Sequence, residues 1–227
     1  MPNTCSIGRC WVTGATKYEE KRGITGIILA GGRSRRLGRD KAVEPFGGQP
    51  LISRVIGLVQ GLTDEIVVSV ADSERARVLP LDEEHRIAVD IYPEGGSLGG
   101  IYAGLNAAGS EWGLAVACDM PFLNRKLIEY MMTLRAGHDA VVPMPGDFPE
   151  PTHSLYSRVC LPPIEARLKA NNLKISGFFD DVRVRYVGEE EARKFDPELL
   201  SFFNVNSSED LDRAQALMSQ QPAYGAP

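Results

Sequence analysis

Apolar and polar positions along the chain alternate between two periods. Short runs rich in β-branched residues at Ile24–Ala30, Ile66–Val70, Ile87–Ile91, Leu114–Cys118, Ala140–Val142 and Val182–Val187 have the length and composition of buried strands. Between them, Leu51, Val55, Leu58, Val59 and Leu62 share one helical face. Leu98, Ile101, Tyr102 and Leu105 repeat that spacing behind a candidate cap at Ser97, and Leu127, Ile128, Met131 and Leu134 do so behind Asn124. Strands alternating with amphipathic helices predict an α/β fold in three layers, a mostly parallel sheet covered on both faces. Ser207, followed three residues later by Asp210, signals a last helix through Met218, and the proline-rich stretch Pro143–Pro151 reads as an excursion from the sheet. Residues 1–23 show neither period and are expected to form an appended, mobile extension. Residues 24–219 should make a single domain and residues 220–227 a frayed tail.

Composition narrows the function classes. With 227 residues and 43% hydrophobic content the chain can bury a sizeable core, and its net charge of −5 argues against a surface built for nucleic acid. Cys5, Cys10, Cys118 and Cys160 lack metal-type spacing and make a thin disulfide framework, which points to a reducing compartment. No stretch of about 18 apolar residues occurs, so a cytoplasmic protein without a membrane partner is expected. His85, His138 and His153 form no ligand spacing.

Charge becomes informative directly behind the first strand, where Leu29 to Lys41 reads LAGGRSRRLGRDK. Gly31, Gly32 and Gly38 allow close backbone approach, while Arg33, Arg35, Arg36, Arg39 and Lys41 place five cations within nine residues. A solvated charged loop would need no Gly-Gly fused to a buried strand. A triphosphate does, because it takes backbone N–H donors along its oxygens and cations where charge develops on the leaving pyrophosphate. The Gly-Lys-Ser/Thr ending of a Walker loop and the G-x-G-x-x-G dinucleotide pattern are both missing.

Two acids stand at predicted strand ends. Asp119, in Ala117-Cys118-Asp119-Met120-Pro121, would face the ligand edge of the sheet. Mg²⁺ needs only one or two carboxylates when phosphate oxygens and waters complete its shell. Asp90 opens a second glycine-rich turn through Gly100, whose following helix would add N–H donors near a base or ribose. Asp119 also suits an ordinary strand-end turn, the segment behind Asp90 also suits a plain strand-to-helix connection with tight backbone geometry, and Asn204 and Asn206, just ahead of the last helix, suit capping better than metal binding.

These motifs, in this order, resemble the molybdenum cofactor guanylyltransferases. The resemblance rests on LAGGRSRRLGRDK, Gln49-Pro50-Leu51, Asp90 with Gly96-Ser97-Leu98-Gly99-Gly100, Ala117 to Pro121, Glu150 to Tyr156, and Phe203-Asn204-Val205-Asn206 before Ser208 to Leu211. It implies a Rossmann-like nucleotidyltransferase sandwich that moves GMP from GTP to the terminal phosphate of molybdopterin or molybdenum-molybdopterin, with Mg²⁺. Other cofactor-biosynthesis proteins and apo-molybdoenzymes are its implied partners. By the same resemblance Leu29, Ala30, Gly31, Gly32 and Gly99 would contact the nucleotide, Lys41 its phosphates, Ser69 and Asp90 the guanosine, Asp119 the metal, and Arg36 the leaving pyrophosphate. Glu150 to Tyr156, the 169–174 region, Asn204 and Asn206 become walls for the pterin substrate. Ser97 and Gly99 depart from the family's commoner proline and alanine, and a single lysine, Lys174, stands where relatives carry arginines. Cytidylyl transfer to the same pterin, sugar-phosphate nucleotidyl transfer, and nucleotide binding without catalysis are the rival readings.

Overall fold

The computed structural model describes residues 22–32, 40–92 and 94–220. In chain order the strands are β1 (Ile24–Leu29), β2 (Pro45–Phe46), β3 (Gln49–Pro50), β4 (Glu65–Val70), β5 (Arg86–Val89), β6 (Trp112–Ala117), β7 (Ala140–Met144), β8 (His153–Ser157) and β9 (Val184–Gly188). The helices are α1 (Leu51–Gln60), α2 (Ser73–Val78), α3 (Gly96–Ala107), α4 (Arg125–Thr133), α5 (Leu161–Lys169), α6 (Glu189–Ala192) and α7 (Ser208–Gln220). The expected extension falls outside the described residues except for Arg22 and Gly23, and the expected frayed tail does so except for Gln220.

Seven strands form one sheet in the order β5-β4-β1-β6-β8-β7-β9, and only the β8 pairings are antiparallel. Period-two alternation assigns neighbouring side chains to opposite faces. Ile28, Leu114, Val116, Val141 and Leu155 join one buried cluster with Ile52, Val55 and Val59 of α1 and Leu127, Ile128 and Met131 of α4. Ile27, Ala115, Ala140, Val142 and Tyr156 join another with Leu98, Ile101 and Leu105 of α3 and Ile164 and Leu168 of α5. Two cores, one on each face, make the three-layer α/β sandwich that the periodicity predicts.

From β1 the chain steps outward to β4 and β5, then returns across β1 to lay down β6. Such a reversal leaves a crevice beyond the carboxyl ends of the strands on either side of it. The glycine-arginine segment leaves β1 at that crevice, and Asp119 leaves β6 there.

Three local expectations need correction. Residues 153–156, read as part of a substrate wall, lie instead in β8, an inner strand; His153, Ser154 and Tyr156 are fully buried and cannot form a wall. Pro143 lies inside β7 rather than in an excursion; it sits past the last residue paired with β8, so its missing N–H breaks no ladder bond to that neighbour. Ser97 does not cap α3, which starts at Gly96 without a side-chain cap. Asn124 does cap α4, its Oδ1 accepting from Leu127 N–H at 3.1 Å. At α7, Ser207 Oγ accepts from Asp210 N–H at 3.1 Å while the Asp210 carboxylate accepts from Ser207 N–H at 2.9 Å, a reciprocal cap.

A third cluster anchors the end of the chain near the crevice. Phe46 of the β2–β3 hairpin, which turns through Gly47 at φ +61° and Gly48 at φ +84°, packs with Phe122, Val205, Leu211 and Ala214. Val205 N–H then donates to Asp119 O at 2.9 Å, which fixes residues 203–206 against the carboxyl end of β6.

Candidate active site

A cleft of about 240 Å³ opens beyond the carboxyl ends of β1, β4, β5 and β6. Leu29, Gly31 and Gly32 enter it from β1, Ser69 and Ala71 from β4, and Asp90 from β5. Gly96, Ser97 and Gly100 come from the first turns of α3, Cys118 and Asp119 from β6, and Lys41 from a single 3-10 turn, Lys41–Val43. The cleft therefore gathers seven residues expected from the sequence: Leu29, Gly31, Gly32, Lys41, Ser69, Asp90 and Asp119.

The backbone leaves β1 with Ala30 N–H bonded to Ser69 O at 2.8 Å. A Cβ at Gly32 would meet nothing within 4 Å among the described residues, so their packing does not demand glycine there and the backbone lines the cleft. Residues 33–39, with Arg33, Arg35, Arg36 and Arg39, lie outside the described residues. At Asp40 the chain is held firmly: Oδ1 accepts from Ala42 N–H at 3.1 Å, capping the turn that carries Lys41. The Asp40 carboxylate also receives both terminal nitrogens of Arg75, with Nη2 to Oδ1 at 2.8 Å. That guanidinium holds the Asp40 carboxyl below the usual carboxylate range. Arg75 was not legible in the sequence as a site residue, since one arginine on a short polar helix looks solvated; its side chain is 7% exposed.

Lys41 forms an ion pair with Asp119 and donates from Nζ to Asn206 Oδ1 at 3.2 Å. One ammonium thus sits between a carboxylate and an amide oxygen delivered by segments far apart in sequence. Asn206 uses only its backbone N–H toward the α7 cap, at 3.0 Å from Asp210 Oδ2. Its side-chain Oδ1 accepts from Lys41 Nζ instead, contrary to the capping role expected for it. Two hard oxygen donors that already share a cation suit a divalent ion of the Mg²⁺ type. The adjacent Cys118 thiol is pushed up to about 12, chiefly by burial, and so stays protonated and offers no thiolate. Among the described residues no group of three or more His, Cys, Asp or Glu forms a ready-made cage, so most oxygens in a metal shell would come from phosphate and water.

Across the cleft, Asp90 is buried and takes Tyr92 N–H on Oδ1 at 2.7 Å. Burial raises its carboxyl above the usual range, with that hydrogen bond working against the rise. Gly99 is the residue that lets the carboxylate lie flat on α3: a Cβ there would stand 2.3 Å from Asp90 Oδ2. Gly99 thus supports the site from behind rather than lining it. Ser69 Oγ is buried beside Asp90's strand and has no hydrogen-bond partner among the described residues. An orphaned hydroxyl and an acceptor with no paired cation among the described residues, both lining the cleft, make a surface for a ligand rich in N–H or O–H groups.

The remaining candidates are not drawn into the cleft. Glu150 Oε1 is occupied by Thr152, whose N–H and Oγ1 donate at 3.2 and 2.6 Å. Pro151 O accepts from Tyr156 Oη at 2.8 Å, and Asn204 Nδ2 donates to Phe202 O at 3.1 Å. The 169–174 region borders a second hollow, of about 200 Å³, through Asn171 and Leu173 on the far side of the Gly95 turn.

Residues 26–181 match a family model described as MobA-like NTP transferase domain. A probable molybdenum cofactor guanylyltransferase of Pelotomaculum thermopropionicum is 40% identical over 193 residues, covering 85% of this chain and 92% of that protein. The molybdenum cofactor guanylyltransferase of Desulfosudis oleivorans is 39% identical over 198 residues, covering 85% and 95%. This chain belongs to the molybdenum cofactor guanylyltransferase family. The crystal structure of molybdopterin-guanine dinucleotide biosynthesis protein A from Archaeoglobus fulgidus superposes with a TM-score of 0.77 at 31% identity, covering 87% of this chain and all of that one. Membership makes the protein a nucleotidyltransferase, and the family implies divalent-metal chemistry. No helix among the described residues is long and apolar enough to cross a membrane.

Proposed function

We propose that the protein transfers GMP from GTP to the terminal phosphate of molybdenum-molybdopterin, in the cytoplasm, forming the guanine dinucleotide cofactor and pyrophosphate. The observation that carries this reading is that one cleft holds both the Lys41–Asp119 ion pair, which Asn206 joins through Lys41 Nζ, and an acceptor surface (Asp90, Ser69) with no cation paired to it among the described residues. A nucleoside triphosphate has that polarity, anionic at one end and rich in N–H and O–H donors at the other.

The roles follow from the chemistry of each group. Gly31 and Gly32 leave backbone open to the phosphates, and the Lys41 ammonium neutralises phosphate charge. Asp90 and Ser69 face the guanosine, whose ring N1–H, exocyclic amine and ribose hydroxyls need acceptors. Asp119, with Asn206 beside it, would hold Mg²⁺, which supplies charge neutralisation at the phosphate oxygens as the bond to pyrophosphate breaks. Arg36 is assigned to the departing pyrophosphate. The incoming group is a phosphate, already anionic, so no general base is required and positioning with charge neutralisation is sufficient. His153, on β8 beside β6, is fully buried, and burial pushes its pKa down to about 4, which suits it to the core and not to proton transfer. Its partners on this reading are GTP, the pterin substrate, other cofactor-biosynthesis proteins and the apo-molybdoenzymes that receive the product.

The test supplies GTP, CTP and ATP separately with molybdenum-molybdopterin and Mg²⁺ and measures pyrophosphate. Release with GTP alone is expected. Release with CTP would replace guanylyl by cytidylyl transfer, and GTP binding without any release would reduce the protein to a nucleotide-binding module.

A further inference from the structure

Arg75 lies outside the cleft lining, yet it touches both flanks of the glycine-arginine segment. Its Nε donates to Ala30 O at 2.9 Å, at the point where the chain leaves β1. Its two terminal nitrogens grip the Asp40 carboxylate, where the chain returns. Arg75 is itself held in place: its backbone N–H donates to Asp72 Oδ1 at 2.7 Å, the N-cap of α2, and its side chain is buried. Asp40 in turn caps the single turn bearing Lys41, whose ammonium reaches Asp119 and Asn206. A planar guanidinium with donors on two edges can join a carbonyl and a carboxylate in one fixed geometry, which an ammonium on a flexible stem cannot do.

We propose that Arg75 is a positioning residue for nucleotidyl transfer: by tying Ala30 O to the Asp40 carboxylate it sets the register of the Lys41 turn, and so the place of the Lys41 ammonium in the cleft. The inference rests on the assignment of Lys41 to the triphosphate. Catalysis by a preorganised charge depends steeply on placement, and a displacement of about 1 Å can cost about 10²-fold in rate.

The experiment measures GMP transfer and, separately, GTP affinity by calorimetry for Arg75→Met, Arg75→Lys and Asp40→Asn, in the wild-type chain and in a Lys41→Ala background, with thermal melting to establish folding. Arg75→Met should lower kcat/KM by about 10²-fold, Asp40→Asn should fall in the same direction, and Arg75→Lys should recover only part, since it keeps the charge and loses the fork. In the Lys41→Ala background the same substitutions should cost less than about 3-fold, because they act through the missing ammonium. A general structural defect would cost the same factor in both backgrounds, and that result would overturn the proposal, as would a folded Arg75→Met enzyme with wild-type kcat/KM. If Arg75→Met does not fold, Asp40→Asn decides by the same criterion. If the wild-type chain binds GTP but transfers nothing, the proposed function fails while the Arg75 proposal is still judged on GTP affinity, by the same dependence on Lys41.

Discussion

Asp90 and Asp139 are equally buried, at 8% and 7% exposure, and sit at ends of strands in the same sheet, yet their surroundings are opposite. Asp139, ahead of β7, receives Arg183 N–H at 2.9 Å, Nε at 2.9 Å and Nη2 at 2.8 Å, and this hydrogen bonding holds its pKa down to about 2. Asp90, behind β5, receives one backbone N–H among the described residues, and burial raises its pKa. The first carboxylate is complete within the protein and joins β7 to the segment leading into β9. Among the described residues the second is left short of donors at the edge where the cleft opens. Burial alone does not separate the two acids; what does is that Asp90 has no paired cation among the described residues and lines the cleft with another unsatisfied group, Ser69 Oγ.

The contrast can be broken in three places. The largest effect is expected at the acid that shares the cleft with Asp90: Asp119→Asn should reduce metal-dependent turnover by about 10³-fold, a barrier increase of about 4 kcal/mol, with folding retained. Turnover within a few-fold of wild type would remove Asp119 from the reaction. Next, Asp90→Asn should weaken GTP binding by about 10-fold or more, as loss of a hydrogen bond to a charged group does. It should also stabilise the nucleotide-free protein at neutral pH. The sign follows from linkage: a carboxyl whose folded pKa is raised destabilises the fold when ionised, so the variant's advantage should grow as pH rises through the ordinary aspartate value of about 3.9 and then through the raised folded one. Denaturant melts across that range would show it, and a destabilised variant would place Asp90 with Asp139 as a structural acid.

The smallest effect belongs to Asp139→Asn, because Arg183 is largely solvated and exposed pairs contribute little. A loss on the order of 1 kcal/mol at neutral pH is expected, with GMP transfer unchanged. A depressed folded pKa contributes stability that is present above about pH 3.9 and is lost as pH falls through about 2, so wild type and variant should converge over that window. A constant difference down to pH 2 would show that the ion pair is not its source.

Legibility in the sequence differed by element and by residue. The cores of β1, β4 and β6 and the buried faces of α1, α3 and α4 were readable because apolar residues recur there at one clear period. β8 was not, since His153, Ser154, Tyr156 and Ser157 are polar types and become core only when β6 and β7 close on either side. α5 was not among the helices expected; Pro162 and Pro163 stand in its first turn, where they remove N–H groups that have no intrahelical partner. Within the site, the strand-end acids and the glycine-arginine segment stood out, while Arg75 did not, because nothing local distinguishes a buried arginine from a solvated one.

Local spacing along the chain was therefore sufficient to establish a parallel α/β sheet, to set Asp90 and Asp119 at strand ends, and to place glycines and cations behind the first strand, since each depends on near neighbours and on backbone period. The tertiary structure alone decided which charges are paired and which are left for a ligand. Lys41 meets Asp119 across 78 positions and Asn206 across 165, and Arg75 meets Asp40 across 35. Desolvation and pairing act through space, so these partners exist only once the sheet and its two covering layers have closed.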